Sequence, residues 1–327
     1  MKAWRVNELG EPRDVLRFEE VDDLTADAGQ LLVRTLAVPA NFPDVLLCRG
    51  EYQVKPSLPF TPGVELCGEV VALGEGVTRF AVGDRVVGTA NLPGGSFAEL
   101  AVMDEVNTFP APATLDDAEA SALTIGYQTG WFALHRRTQL LPGETLLVHA
   151  AAGGVGSAAV QLGKAAGARV IGVVGGPAKA EYCRALGADL VIDRHTEDFV
   201  PIVKEFTGGR GADVVFDPVG GDAYAKSTKC IAFEGRILVI GFAGGTIPTP
   251  GLNHALIKNY SIIGLHWGLY KSYNQQAIDD CHVELTRLAD AGSIKPLIGE
   301  RLSLADVPEG LGRLGDGTTV GRLVFTP

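Results

Sequence analysis

The stretch TLLVHAAAGGVGSAAVQLGKAAG, residues 145–167, decides how this 327-residue chain is read. Its opening, TLLVHA, has the apolar character of a buried strand, and GSAAVQLGKAAG continues as a helix of small and apolar residues. Between them lies a run of alanines and glycines that no ordinary strand or helix would choose. Strand, tight turn and helix start are what a dinucleotide-binding turn needs, because the free amides of the first helical turn face a pyrophosphate. Gly153 and Gly154 let the backbone approach the phosphates, with Ala152 and Val155 completing the turn, and Gly156 lets the helix pack close to the strand. Ala151 stands where the first glycine of G-x-G-x-x-G is expected, so the surroundings must carry the reading.

Those surroundings are consistent. After the turn, RVIGVV, LVI, ADVVFD, RILVIGF and SIIGLH alternate with helix-like segments such as AKAEYCRALG and DFVPIVKEF. Apolar, β-branched strands separated by helices predict an α/β fold, a doubly wound parallel sheet covered on both faces. Residues 1–120 are different: short β-type runs (QLLVRTLAV, GEVVALG, DRVVGTA, FAELAVM) punctuated by glycine and proline, which predicts a compact β domain or barrel. Past residue 265, Ile278, Cys281, Leu285 and Leu288 mark one face of a helix that ends at Gly292. The final GRLVFTP is expected to return to the first domain. The expected division is 1–120, then 121–265 for the dinucleotide domain, then 266–327 for the return. No internal repeat is evident.

The second strand tells which dinucleotide. An enzyme that prefers NAD usually ends this strand in Asp or Glu, which holds the adenosine ribose hydroxyls. Here RVIGVV runs into GGPAK, with no acid. Gly175 leaves room for a 2′-phosphate and Lys179 offers it a cation. Arg194, after DLVID at the next strand end, offers a second. A missing acid and two cations favour NADPH.

Composition excludes other classes. With 28 Lys and Arg against 39 Asp and Glu, the net charge is −11, which repels phosphate backbones and argues against nucleic-acid binding. No apolar run approaches the roughly 20 residues of a membrane helix, and the start, MKAWRVNELGEPRD, has no apolar core of a secretion signal. Five cysteines, odd in number and far apart, fit reduced thiols in a cytoplasmic protein better than a disulfide framework.

AAAGGVGSAAVQLGKAAGARVIG, GADLVID and GLHWG, with ANFPDVLLCRGEYQVKPSLPFTPGVELCGEV upstream, resemble the zinc-independent quinone oxidoreductases of the medium-chain dehydrogenase/reductase superfamily. The resemblance covers essentially the whole chain. It implies a GroES-like β-barrel catalytic domain built from both termini, a Rossmann domain between them, and NADPH in the cleft. In the zinc alcohol dehydrogenases of this architecture a cysteine occupies the position of Asn41, and a histidine that of Val64, just before Glu65. An amide and an isopropyl group cannot replace a thiolate and an imidazole as zinc ligands. The four-cysteine lobe of structural zinc is missing too, so no metal is expected.

Without a Lewis acid the acceptor should take a hydride readily, as a quinone or a conjugated enone does. The resemblance implies that Tyr52 sits beside the nicotinamide, and Asn41 is expected to hydrogen-bond the cofactor or an acceptor oxygen. Gly241, Phe242 and Ala243, with His266, Trp267 and Gly268, follow the last two strands and are expected to line the nicotinamide half. Phe42, Trp267 and Tyr270 are candidate walls. Arg194 departs from the family, which commonly has an aromatic residue or histidine there. The leading expectation is an NADPH:quinone oxidoreductase acting on a small-molecule acceptor. The alternatives are an enoyl or acrylyl thioester or enal reductase and, from another class, a non-catalytic NADPH-binding protein like certain lens crystallins. A homodimer is expected through the apolar strand edge near SIIGLH.

Overall fold

Six apolar segments of the chain's second half become the strands of one parallel sheet in the computed structural model, which describes residues 1–327. They are β1 (Thr145–His149), β2 (Arg169–Val174), β3 (Leu190–Asp193), β4 (Ala212–Asp217), β5 (Ile231–Val239) and β6 (Ser261–Gly264). The spatial order is β3-β2-β1-β4-β5-β6, and every neighbouring pair is parallel. The order reverses between β1 and β4, and the carboxyl ends at such a switch point are where open α/β sheets bind ligands. Every residue of β1 and β4 is buried, as continuous apolar strands covered on both faces require. Leu147, Ile171, Val215 and Ile237 are fully enclosed, each gaining about 1.5–3 kcal/mol from burial.

The other unit is organised on the long strand Gln30–Pro39, which pairs antiparallel with Leu66–Leu73, Leu100–Asp104 and Arg322–Thr326. Arg85–Gly88 and Thr108–Pro110 extend the sheet on one side and Ile298–Ser303 on the other, seven strands in all. Its core centres on Phe60, Phe97, Met103 and Phe325, with Phe97 and Phe325 packed edge to face 5.5 Å apart.

The units comprise residues 1–125 with 296–327, and residues 126–295. The return therefore falls at Pro296 rather than at the expected 266, and the first boundary at 125 rather than 120. The helix Gln275–Asp290 buries Ile278, Cys281, Leu285 and Leu288 as their spacing predicts, and Gly292 follows it at φ +67°. That segment belongs to the second unit, where the Gln161 side chain grips Lys295 with both ends of its amide (2.7 and 2.6 Å). An amphipathic face announces a helix without naming what it packs against. All five cysteines are buried and unpaired as disulfides.

Candidate active site

The turn after β1 is built by close approach. Ala150 takes φ +48°, and a β-carbon at Gly156 would lie 2.2 Å from its carbonyl oxygen, so only glycine fits there. Gly153 caps the helix α1 (Gly154–Ala165) in extended conformation, leaving the first-turn amides at its open end. Ala151, in place of the expected glycine, is accommodated from the opposite strand. Its amide donates to the Val173 carbonyl (3.1 Å), and bare Gly172 provides room for its methyl group. Ala152 is buried, and Gly153, Gly154 and Val155 are half-buried.

Gly175 leaves β2 where an NAD enzyme would place its acid. A β-carbon there would meet His195 Nε2 at 3.0 Å and Arg194 Nε at 3.2 Å, so these side chains cover the glycine. Lys179, on the helix Pro177–Ala185, joins them: burial first and then the Arg194 charge hold its ammonium below the ordinary lysine range. Of the three expected residues, Gly175 and Arg194 are in contact, and Lys179 lies near enough to Arg194 to feel its charge. His195, which the sequence reading did not single out, lies beside Arg194 over the same glycine. Asp193 Oδ1 accepts the Gly176 amide (2.8 Å) and the His195 amide (3.0 Å), and the Arg194 amide donates to the Val174 carbonyl (2.9 Å). The two strand-end turns are held together by backbone contacts.

The loop after β5 carries Gly241, Phe242 and Ala243, the last two exposed. Ala243 and Gly244 amides donate to the carbonyls of Pro218 and Val219 (3.0 and 2.9 Å), fixing it to the loop after β4. After β6, Trp267 Nε1 donates to Oε1 of fully buried Gln128 (3.0 Å), and the Lys271 ammonium stands 5.0 Å from the indole. Tyr270 packs on Phe132 at 4.2 Å. His266 is exposed and Gly268 half-buried. Trp267 and Tyr270 are thus each held by a packing partner.

In the first unit Asn41 is 4% exposed, and its Nδ2 donates to the Pro39 carbonyl (3.2 Å) and Glu65 Oε2 (3.0 Å), while Oδ1 accepts from Arg322 (3.1 Å). The amide is thus engaged on both ends within its own unit. Glu65 also receives Arg322 Nη2 (3.2 Å) and the Ile125 amide (2.6 Å). Burial raises its carboxyl, and the guanidinium opposes that. Beside it, Asp44 accepts the amides of Asn41 (2.9 Å) and Gly63 (3.1 Å), and complete burial pushes its carboxyl up to about 7. This network anchors the helix Phe42–Arg49, which ends at Gly50 (φ +70°), two residues before half-buried Tyr52. Burial and then the Asp44 charge raise the Tyr52 phenol, so it stays protonated and able to donate. Phe42 is half-buried. No three His, Cys, Asp or Glu side chains converge as a metal-holding group.

This combination of a dinucleotide-binding parallel sheet with a separate β unit is the architecture of a medium-chain dehydrogenase/reductase. The family model for the alcohol dehydrogenase GroES-like domain matches residues 27–113, and that for zinc-binding dehydrogenase matches residues 154–282. The chain belongs to the quinone oxidoreductases of this superfamily. It is 37% identical over 326 residues to quinone oxidoreductase-like protein 2 homolog of Nematostella vectensis, covering 99% of this chain and 88% of that one. The structure of Escherichia coli quinone oxidoreductase complexed with NADPH matches over 100% of both chains, with TM-score 0.92 and 30% identity. The CurF ER cyclopropanase from the curacin A biosynthetic pathway matches at TM-score 0.88 and 27% identity, covering 99% of this chain and 98% of that one.

Proposed function

We propose that this chain is an NADPH-dependent oxidoreductase that delivers hydride to a quinone without a metal ion. The observation that carries the reading is the end of β2: no acid is present, Arg194 covers Gly175, and Lys179 lies near enough to feel the Arg194 charge, so cations gather where a 2′-phosphate needs them. The match to a quinone oxidoreductase complexed with NADPH supports it. Where zinc-using relatives carry cysteine and histidine, this chain carries Asn41 and Val64, neither a zinc ligand.

When bound, NADPH supplies a hydride from its reduced nicotinamide. The α1 amides hold the pyrophosphate, and Lys179 and Arg194 hold the 2′-phosphate. Gly241, Phe242 and Ala243, with His266, Trp267 and Gly268, form the walls that orient the ring and exclude water. The protonated Tyr52 phenol donates to the acceptor oxygen as it gains charge; one well-aimed donor is worth about 3–4 kcal/mol. Asn41 contributes indirectly, by anchoring the helix that leads to Tyr52.

A second reading, an enoyl thioester or enal reductase, is favoured by the similarity to the CurF ER cyclopropanase. NADPH oxidation assayed against quinones, enals and enoyl thioesters separates the two. Turnover should be fastest with quinones, and Tyr52→Phe should slow it tens-fold while NADPH affinity is unchanged. Faster turnover with enoyl thioesters would favour the second reading. NADPH binding without turnover on any acceptor would leave the non-catalytic binding role.

Buried, reduced cysteines support residence in a reducing compartment such as the cytoplasm. β6 lies at the sheet edge, and the helix Leu252–Lys258 leading to it leaves Leu252, Leu256 and Ile257 more than 70% exposed. This apolar margin supports a two-fold homodimer.

A further inference from the structure

We propose that Gln128 is a positioning residue for hydride transfer, holding Trp267 in place through one hydrogen bond that the fold itself does not need. The inference rests on the reading above that Trp267 lines the nicotinamide half, and it adds the residue that fixes the indole there.

Trp267 opens the turn Trp267–Leu269 after β6, and the helical turn Tyr270–Tyr273 follows directly. Both rings are half-buried. Their anchors come from one stripe of another part of the same unit, Gln128, Phe132 and Arg136. Gln128 Oε1 accepts the indole N–H (3.0 Å), the Phe132 ring lies 4.2 Å from that of Tyr270, and the Arg136 guanidinium lies 5.6 Å from the same ring. Residues four apart share a helix face, so three successive positions of one face meet one segment. Beyond Trp131 the coil widens into a π-helical turn, Phe132–Arg137, and the Thr138 amide donates to the Ala133 carbonyl (3.1 Å), five residues back. Such turns are rare and occur frequently at functional sites.

Gln128 is the costly member of the stripe. It is fully buried, yet only its oxygen is paired, and Nε2 has no hydrogen-bond partner. Chemistry fixes which end is which, since an indole N–H can only donate and must face the oxygen. A buried donor without an acceptor costs about 1–3 kcal/mol, which methionine at the same place would avoid. Fold stability therefore gives no reason for a glutamine here, and its one side-chain hydrogen bond goes to Trp267. That bond sets the angle of the indole as well as its distance, where apolar packing alone would let the ring slide. Misplacing reacting groups by about 1 Å can cost on the order of a hundredfold in rate, so a fixed wall has kinetic value.

The test compares wild type, Gln128→Met, Trp267→Phe and the double variant in thermal unfolding without cofactor, in NADPH affinity by nicotinamide fluorescence, and in single-turnover NADPH oxidation by 1,4-benzoquinone. Gln128→Met should melt at or above the wild-type temperature, because it removes an unpaired buried donor. It should bind NADPH within about threefold of wild type, yet transfer hydride about tenfold to a hundredfold more slowly. In the Trp267→Phe background the same substitution should change the rate by less than about twofold, since its partner is gone. A lower melting temperature for Gln128→Met, or a rate loss that persists undiminished in the Trp267→Phe background, would make Gln128 a framework residue and overturn the proposal. So would a wild-type rate in Gln128→Met. A wild type that binds no NADPH, or oxidises none with the quinone, would instead overturn the proposed function on which this inference rests.

Discussion

Arg322 and Asn41 are 281 residues apart in sequence, yet the guanidinium donates to the amide oxygen across 3.1 Å, with Glu65 bound to both. The position that belongs to a zinc-ligating cysteine in zinc-using relatives is here a neutral amide held by an internal cation. Removing that cation strands a fully buried carboxylate. Arg322→Met should destabilise the fold by about 3–5 kcal/mol in urea unfolding, and adding Glu65→Gln should recover most of the loss. A cost of Arg322→Met below about 1 kcal/mol would show that the network is not holding the unit together.

Asp44 sets a pH dependence. Its carboxyl is raised from 3.8 to about 7, so the folded chain keeps this proton longer than the unfolded one. Its contribution is full below the unfolded value and is lost as pH rises through about 7. Asp44→Asn cannot titrate. The stability gap between wild type and Asp44→Asn should therefore shrink by up to about 4 kcal/mol between about pH 4 and pH 8, at roughly 1.4 kcal/mol per unit. A gap that is constant with pH, measured by denaturant unfolding, would contradict this.

Gly156→Ala would force a β-carbon to within 2.2 Å of a backbone oxygen, and the turn must move. If the turn serves the pyrophosphate common to both dinucleotides, as proposed, NADPH and NADH should weaken alike, by at least about tenfold. The contrasting variant is the Lys179→Ala, Arg194→Ala pair, which should weaken NADPH by at least about tenfold and leave NADH alone. Titration of each variant with both cofactors checks the two patterns. Unchanged affinities in Gly156→Ala would remove the turn from the binding site.

Leu256 and Ile257 are 78% and 73% exposed, so charging them costs the subunit's own core nothing. Light scattering at micromolar concentration should give a dimer mass for wild type and a monomer mass for Leu256→Lys, Ile257→Lys, with an unchanged circular dichroism spectrum. A wild-type monomer would end the dimer proposal.

Local pattern made the nucleotide-binding unit readable. All six strands and the glycine turn follow from period and turn chemistry, which act over a few residues. That Gly175 and Arg194 follow consecutive strands was readable for the same reason. The Arg322 partner of Asn41 was not legible, because no local rule connects residues 281 positions apart. The boundary at 296 was missed for a similar reason: Gln161 and Lys295 meet through side-chain hydrogen bonds that leave no mark on hydrophobic spacing.

The strand Arg322–Thr326 closes the sheet begun by Gln30–Pro39, and this gives the chain a birth order. A ribosome making the protein releases residues 126–295 as one uninterrupted block, free to fold while synthesis continues. The first unit emerges earlier but cannot finish, because Glu65 and Asn41 wait for Arg322. The half made first is therefore completed last, and a chain truncated before Arg322 should yield a folded nucleotide-binding block attached to an unfinished N-terminal half.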